Sequence, residues 1–211
     1  MFNNQIEKIA EKDENIKTKG LHIISICNME SPRAKRLEAI LELIAAKRQF
    51  LMKTGRATSQ EMKDLWTEYR WYLDQLHKRF LVRQYFVENI TTTVGRSVIA
   101  QRLSGTVTYT GVVNYCALGS SATPPAVGNT QLGTETYRKA LSPSTYLNNV
   151  AYLETFFSST DTNGTFEEFA FFIDGTGVAN SGQMLNRFTQ HVVKSNVESL
   201  NVQSMITIND A

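Results

Sequence analysis

The spacing of hydrophobic positions changes once along this chain. Between Ser31 and Phe80 they recur every three, four and seven residues, the pattern of amphipathic helices. Ser31-Pro32 offers an N-cap hydroxyl followed by proline at the first helical position. Leu37, Ile40, Leu41, Ile44 and Leu51 then share one face, and Gly55 is a natural stop. Thr58 and Glu61 have capping-box spacing, and Met62, Leu65, Tyr69, Tyr72, Leu73, Leu76 and Phe80 form a second stripe. The short link between the two stripes predicts an antiparallel helical hairpin. Upstream, residues 3–19 are polar, with Ile6, Ile9 and Ile16 as sparse anchors, and predict a frayed helix or an arm. Residues 21–27 predict a strand or an extended linker.

Beyond residue 90 the period shortens. Residues 93–103 read as a short helix, with Val94, Val98, Ile99 and Leu103 on one side. β-rich runs follow at 107–109, 112–118, 135–141, 150–157, 165–173, 184–193 and 197–208. Turn residues separate them: Ser121-Ala122-Thr123-Pro124-Pro125, Asn163-Gly164 and Asp174-Gly175-Thr176-Gly177. One break in the alternation of Val197, Leu200, Val202, Met205, Ile206 and Ile208 predicts a bulge or bend. Short strands at this spacing, without βαβ alternation, predict an antiparallel sandwich, jelly-roll-like or Ig-like. The expected fold class is α+β, an N-terminal α-helical hairpin followed by an antiparallel β-sandwich.

Charge marks the same step. Residues 1–90 carry 16 of the 22 Lys+Arg and 12 of the 20 Asp+Glu, a net +4 against −2 for the remainder. The expected organisation is therefore a charged arm and short extended segment over 1–30, a helical hairpin for attachment or oligomerisation over 31–90, and a β-sandwich over 91–211. A chain of 211 residues, 42% hydrophobic, builds a core without staples. The overall charge of +2 gives no global field for nucleic acid or an anionic membrane. No run approaches the length of a membrane span, and the first thirty residues show no secretory cleavage pattern.

Candidate chemistry is sparse. His22, His77 and His191 lack metal-ligand spacing and are read as structural or solvated. No Gly-x-Ser-x-Gly elbow, His-Glu-x-x-His helix or Walker loop occurs. Asp161-Thr162-Asn163-Gly164 begins like a calcium loop, but its twelfth position is Phe172, so a tight turn is expected. Glu167 and Glu168 are adjacent, point to opposite faces of a strand and cannot form one site. Cys27 and Cys116 make neither a disulfide framework nor a zinc site. No enzymatic activity, cofactor or metal is expected. Glu135 with Arg138, and Glu167 or Glu168 with Arg187, read as solvated charges; the alternative is a buried bidentate pair that fixes register. Lys35, Arg36, Lys47, Arg48, Lys53 and Arg56, interleaved with Glu38 and Glu42, read as a solvated face or a contact to an acidic protein. Base-stacking aromatics are not interleaved with these charges, which argues against nucleic acid.

The exception is the aromatic load of the second helix. Trp66, Tyr69, Trp71, Tyr72, Phe80, Tyr85 and Phe86 fall within 21 residues, more than one stripe can cover. They pack onto the rest of the chain or form a protein–protein interface, and these seven are the candidate interface residues.

Several ordered blocks carry a resemblance. Thr93-Val94-Gly95-Arg96 leads to Val113-Asn114-Tyr115-Cys116-Ala117-Leu118-Gly119, a small-residue loop with prolines, and Thr130-Gln131-Leu132-Gly133-Thr134-Glu135-Thr136-Tyr137-Arg138. Gly164-Thr165-Phe166-Glu167-Glu168-Phe169 and Met184-Leu185-Asn186-Arg187 follow. This order resembles a β domain of tailed-bacteriophage virion structural proteins of the tail-fibre, collar or tail-associated kind, over about residues 91–208. The resemblance implies a non-enzymatic virion component in the neck/collar, tail or fibre attachment. It would be assembled in the host cytoplasm as a homo-oligomer with portal, neck, tail or fibre partners. The alternative it implies is a receptor- or carbohydrate-binding module.

Overall fold

The computed structural model describes residues 20–208; the arm expected over residues 3–19 lies outside them. Three helices and ten strands are described, an α+β fold with two five-stranded antiparallel sheets. In chain order the elements are β1 (Leu21–Asn28), α1 (Pro32–Thr54), α2 (Ser59–Phe80), β2 (Leu81–Glu88), β3 (Ile90–Thr91) and α3 (Thr93–Leu103). Then come β4 (Val113–Gly119), β5 (Glu135–Ala140), β6 (Thr145–Leu147), β7 (Val150–Phe157), β8 (Gly164–Ile173), β9 (Gln183–Lys194) and β10 (Glu198–Thr207). Sheet I runs β2-β1-β10-β7-β6 and sheet II runs β3-β9-β8-β4-β5.

The helix ends follow the capping residues. Ser31 Oγ accepts from Ala34 N at 3.1 Å, and Gly55 closes α1 with φ 64°, a left-handed conformation that favours glycine. At α2, Thr58 and Glu61 satisfy each other's backbone N–H groups. α2 ends at Phe80, where the chain turns directly into β2. Tyr85 and Phe86 therefore lie on a strand, not on the aromatic helix expected from sequence.

The strands do not respect the composition step. β1 pairs with β10 and β2 with β1, so two strands from before residue 90 complete sheet I. The division expected at 90 separates two helices from most of the strands, but it cuts through one sheet. Residues 107–109 are not a strand, and β10 pairs with β1 and β7 without a register shift. Its broken alternation has another cause. Leu200, Val202 and Ile206 face sheet II, whereas Asn201 on the opposite face meets α2. Both faces are covered, and Met205 on the α2 side, beside the buried Ser199, Asn201 and Gln203, is the apolar residue that breaks the alternation.

Two cores result. Ile24, Ile26, Leu153, Phe157, Leu200 and Val202 of sheet I join Cys116, Leu118, Phe169, Phe171, Phe188 and Val192 of sheet II in one cluster. On the other side of sheet I, Cys27 and Phe156 join Leu37, Leu41 and Ile44 of α1 and Leu65, Tyr69, Leu73 and Leu76 of α2. Sheet I is thus covered on both faces. The outer side of sheet II carries a smaller cluster in which Leu132, from the loop after β4, packs on Ala117, Ala170, Phe172 and Met184.

Candidate functional site

The seven aromatic candidates disperse once the chain is folded. Tyr69 is fully buried and its hydroxyl donates to Asn201 Oδ1 at 3.1 Å. Tyr72 and Phe80 are half-buried against the same helix–sheet core. Tyr85 packs on the core between the sheets. Trp66 is half-buried, with its ring 5.8 Å from that of Tyr152 on β7. Only Trp71 and Phe86 are exposed, Trp71 at 58% with its ring edge-on to Tyr72 at 4.8 Å.

Trp66 stands at a groove of about 620 Å³ between α2 and sheet I. Lys63, Trp66 and Arg70, on successive turns of α2, form one wall; Tyr146 of β6, Tyr152 of β7 and Gln203 of β10 form the other. Lys63 Nζ lies 5.5 Å from the centre of the Tyr146 ring. Arg70 Nη1 donates to Glu154 Oε1 at 2.5 Å, and Nη2 lies 3.7 Å from Asp74. Glu154 is fully buried, and its second oxygen has no hydrogen-bond partner among the described residues. Burial raises its pKa, and the attraction of Arg70 only partly offsets this.

Of these groove residues the sequence singled out Trp66 alone. One signal pointed to the far wall: Asn148-Asn149 is a two-residue connection between β6 and β7, with Leu147 paired to Val150 and Asn148 at φ 52°. Two Asn between apolar residues are a hairpin signature.

The charged pairs expected to be solvated are buried instead. Glu168 and Arg187 are both inaccessible, with Arg187 Nη2 2.9 Å and Nε 3.0 Å from Glu168 Oε2. Glu168 also accepts from the backbone N–H groups of Ser121, Gly133 and Thr134 at 3.2, 2.9 and 2.7 Å. Arg187 donates to the carbonyls of Thr123 and Pro124 at 2.8 and 3.2 Å and to Asn129 Oδ1 at 3.0 Å. Together they pin the whole connection from β4 to β5. Gly119 belongs to this clamp, because a Cβ there would lie 2.5 Å from both Glu168 Oε1 and the Thr134 carbonyl. A second clamp joins Glu135 to Arg138 through two bonds of 2.5 and 2.7 Å. Arg138 also donates to the Thr176 and Ser181 carbonyls and lies 4.7 Å over the Phe172 ring. The remaining glutamate, Glu167, meets the exposed His191 at 2.6 Å. As expected for neighbours on a strand, the two glutamates face different surroundings.

The basic face of α1 also needs correction at one position. Lys35, Arg36, Lys47, Lys53 and Arg56 are exposed, but Arg48 is buried and donates to the Leu141 carbonyl at 3.1 Å and to Ser144 Oγ at 3.2 Å. Burial lowers its pKa to about 10. Glu38 accepts from Ser159 N at 2.5 Å and Oγ at 3.0 Å, and Glu42 meets Lys139 Nζ at 2.6 Å.

His22 is buried and stacked on Phe188, with ring centres 3.8 Å apart. Burial lowers its pKa to about 3, and burial followed by nearby Arg70 does the same for His77. Asp161, of the calcium-loop-like run, is bonded by Lys139, Ser158 and Tyr137. Burial opposes its charge, but these bonds outweigh it and hold the pKa below the usual range. Among the described residues no group of three or more His, Cys, Asp or Glu could hold a metal ion. None of the described helices is long and apolar enough to cross a membrane. No family model, curated protein or solved structure matches the chain.

Proposed function

We propose that this protein is a non-enzymatic structural component of a tailed-phage virion, a neck/collar, tail or fibre-attachment protein. In this reading the two sheets act as a rigid sandwich scaffold, and α1 and α2 form a hairpin whose outer surface meets further copies of the chain. The cluster shared by both sheets and the second cluster shared by both helices support that division of labour. The phage assignment rests on the resemblance over residues 91–208.

One observation carries the assembly reading. Leu43 and Phe50, seven residues apart on α1, are 70% and 60% exposed, and Trp71 of α2 is 58% exposed. Large exposed apolar side chains on both helices of one layer support an interface with another copy. Repetition in a ring lets modest contacts add by avidity.

The test is the solution mass of the full chain by light scattering behind size exclusion, beside the double variant Phe50→Glu/Trp71→Glu. An oligomer that the variant reduces to monomers of unchanged thermal stability supports the reading. A full chain that stays monomeric at every concentration, or a variant that assembles normally, overturns it.

A further inference from the structure

We propose that the groove between α2 and sheet I is a binding site for a short, uncharged oligosaccharide. This goes beyond the assembly reading and uses a different surface from Leu43, Phe50 and Trp71.

Three properties of the groove select the ligand class. Its size, about 620 Å³, lies within the ~300–1,000 Å³ of ordinary ligand sites. Its walls carry aromatic rings, Trp66 on the α2 wall tilted against Tyr152 on the sheet I wall with ring centres 5.8 Å apart, and Tyr146 beside Tyr152 is 62% exposed. Polar donors are placed among these rings: Arg70, Lys63 and the Gln203 amide. A sugar ring satisfies both kinds of surface at once. Its apolar face, lined with C–H bonds, rests on an aromatic face, and its hydroxyls accept from and donate to the polar groups around the edge.

The electrostatics decide against the competing classes. A nucleotide or other polyanion would need more than one uncompensated cation. Arg70 is already neutralised by the buried Glu154 at 2.5 Å, which leaves Lys63 as the one lining cation without a carboxylate partner among the described residues. A phosphate in the groove would also face Glu154 behind the guanidinium. A purely apolar ligand would cover Arg70, Gln203 and Lys63 without replacing their hydrogen bonds to water, which is unfavourable. An uncharged polyhydroxyl ligand incurs neither penalty. Glu154 then acts as a positioning residue, since it holds the guanidinium of Arg70 against the wall of the groove.

The experiment uses the full chain carrying Trp71→Phe, so that Trp66 is the sole tryptophan. Its emission is followed during titration with maltotriose, cellotriose, triacetylchitotriose and lactose, with trigalacturonic acid as the charged comparator. A wider array of uncharged glycans is screened in parallel. The expected result is a saturable change with at least one uncharged sugar. Tyr146→Ala, at an exposed position, should weaken that binding by about tenfold or more, the loss of one aromatic platform, with no change in melting temperature. The proposal is overturned if no uncharged sugar binds, if only the acidic sugar binds, or if Tyr146→Ala binds as tightly as its parent. Assembly by Phe50 and Trp71 is read separately by mass, so the two ideas fail independently.

Discussion

Replacing Glu168 by glutamine tests whether the buried clamp organises sheet II. The change keeps shape and volume and removes only the charge. Two consequences follow from the geometry. Arg187, which is inaccessible to solvent, loses its counter-charge. One carboxylate oxygen also becomes an NH2 group facing donors, because Glu168 is surrounded by three backbone N–H groups and the Arg187 guanidinium. Breaking one side of a buried ion pair costs about 3–5 kcal/mol. For a fold of this size each kcal/mol moves the melting temperature by roughly 2–4 °C, so the expected loss is about 6–20 °C. The assay is thermal and urea unfolding at pH 7, with Glu167→Gln as the control. Glu167 pairs with a histidine that is mostly exposed, and its loss should stay within about 0.5 kcal/mol. Replacing both partners, as Glu168→Gln/Arg187→Leu, should recover part of the loss by removing the orphaned charge. If Glu168→Gln falls within about 1 kcal/mol of the parent, the clamp is not what holds the β4–β5 connection.

Four further outcomes are expected. His22 is buried with both ring nitrogens unpartnered among the described residues, so His22→Phe should be neutral or stabilising at pH 7 by urea unfolding; a loss above about 1 kcal/mol would show that the imidazole is needed. His22 and His77 have folded pKa values of about 3, below the unfolded value. Stability should therefore rise with pH between about 3 and 6.5 by up to ~2.7 kcal/mol per pH unit for two protons, and His22→Phe should remove half of that slope. Cys27 and Cys116 are buried free thiols, and burial pushes the pKa of each upward, Cys27 to about 12. Neither should react with a disulfide reagent at pH 8 until denaturant is added, and rapid native labelling would contradict the packing around them. Deleting residues 1–90 should abolish the cooperative unfolding transition, because it removes β1 and β2 from sheet I. Ile23, Ile24 and Ile26 alone represent about 5–9 kcal/mol of burial, against a total stability of ~5–15 kcal/mol.

The helix caps and most strands were legible because their signals are local. Ser31-Pro32, Gly55 and the Thr58–Glu61 box each act within four residues, and 150–157 was placed to the residue. What escaped depends on distant contacts. Residues 81–88 follow α2 without a break, and their aromatics extend its aromatic run. Only pairing with β1, sixty residues away in the chain, makes them a strand. Glu168 and Arg187 look like surface charges because nothing in a β8 or β9 window shows that the loop from Ser121 to Thr134 folds over them. The groove was legible in part: Trp66 stood out by its chemistry, but Tyr146, Tyr152, Arg70 and Gln203 come from four separate elements.

The polar contacts beneath the helices constrain the proposed assembly. A detachable attachment element would meet its scaffold through few buried polar bonds. Here Glu38 is tied to Ser159, Glu42 to Lys139, Arg48 to Leu141 and Ser144, Tyr69 to Asn201, and Arg70 to Glu154. Lifting α1 and α2 from sheet I would break the bonds of buried charges such as Arg48 and Glu154 and expose the cluster around Tyr69 and Phe156. In the proposed assembly, contacts to neighbouring copies would therefore use the helices in place. Tyr69 is unavailable to a partner, and Tyr72 and Phe80 are largely committed to the helix–sheet core. Of the seven aromatic residues of the sequence pattern only Trp71 and Phe86 remain outward, and the proposed interface joins Trp71 to Leu43 and Phe50, two exposed residues of α1 outside that pattern. Such a surface is pre-formed, so docking orders little additional chain, and single substitutions there should act on dissociation rather than on folding.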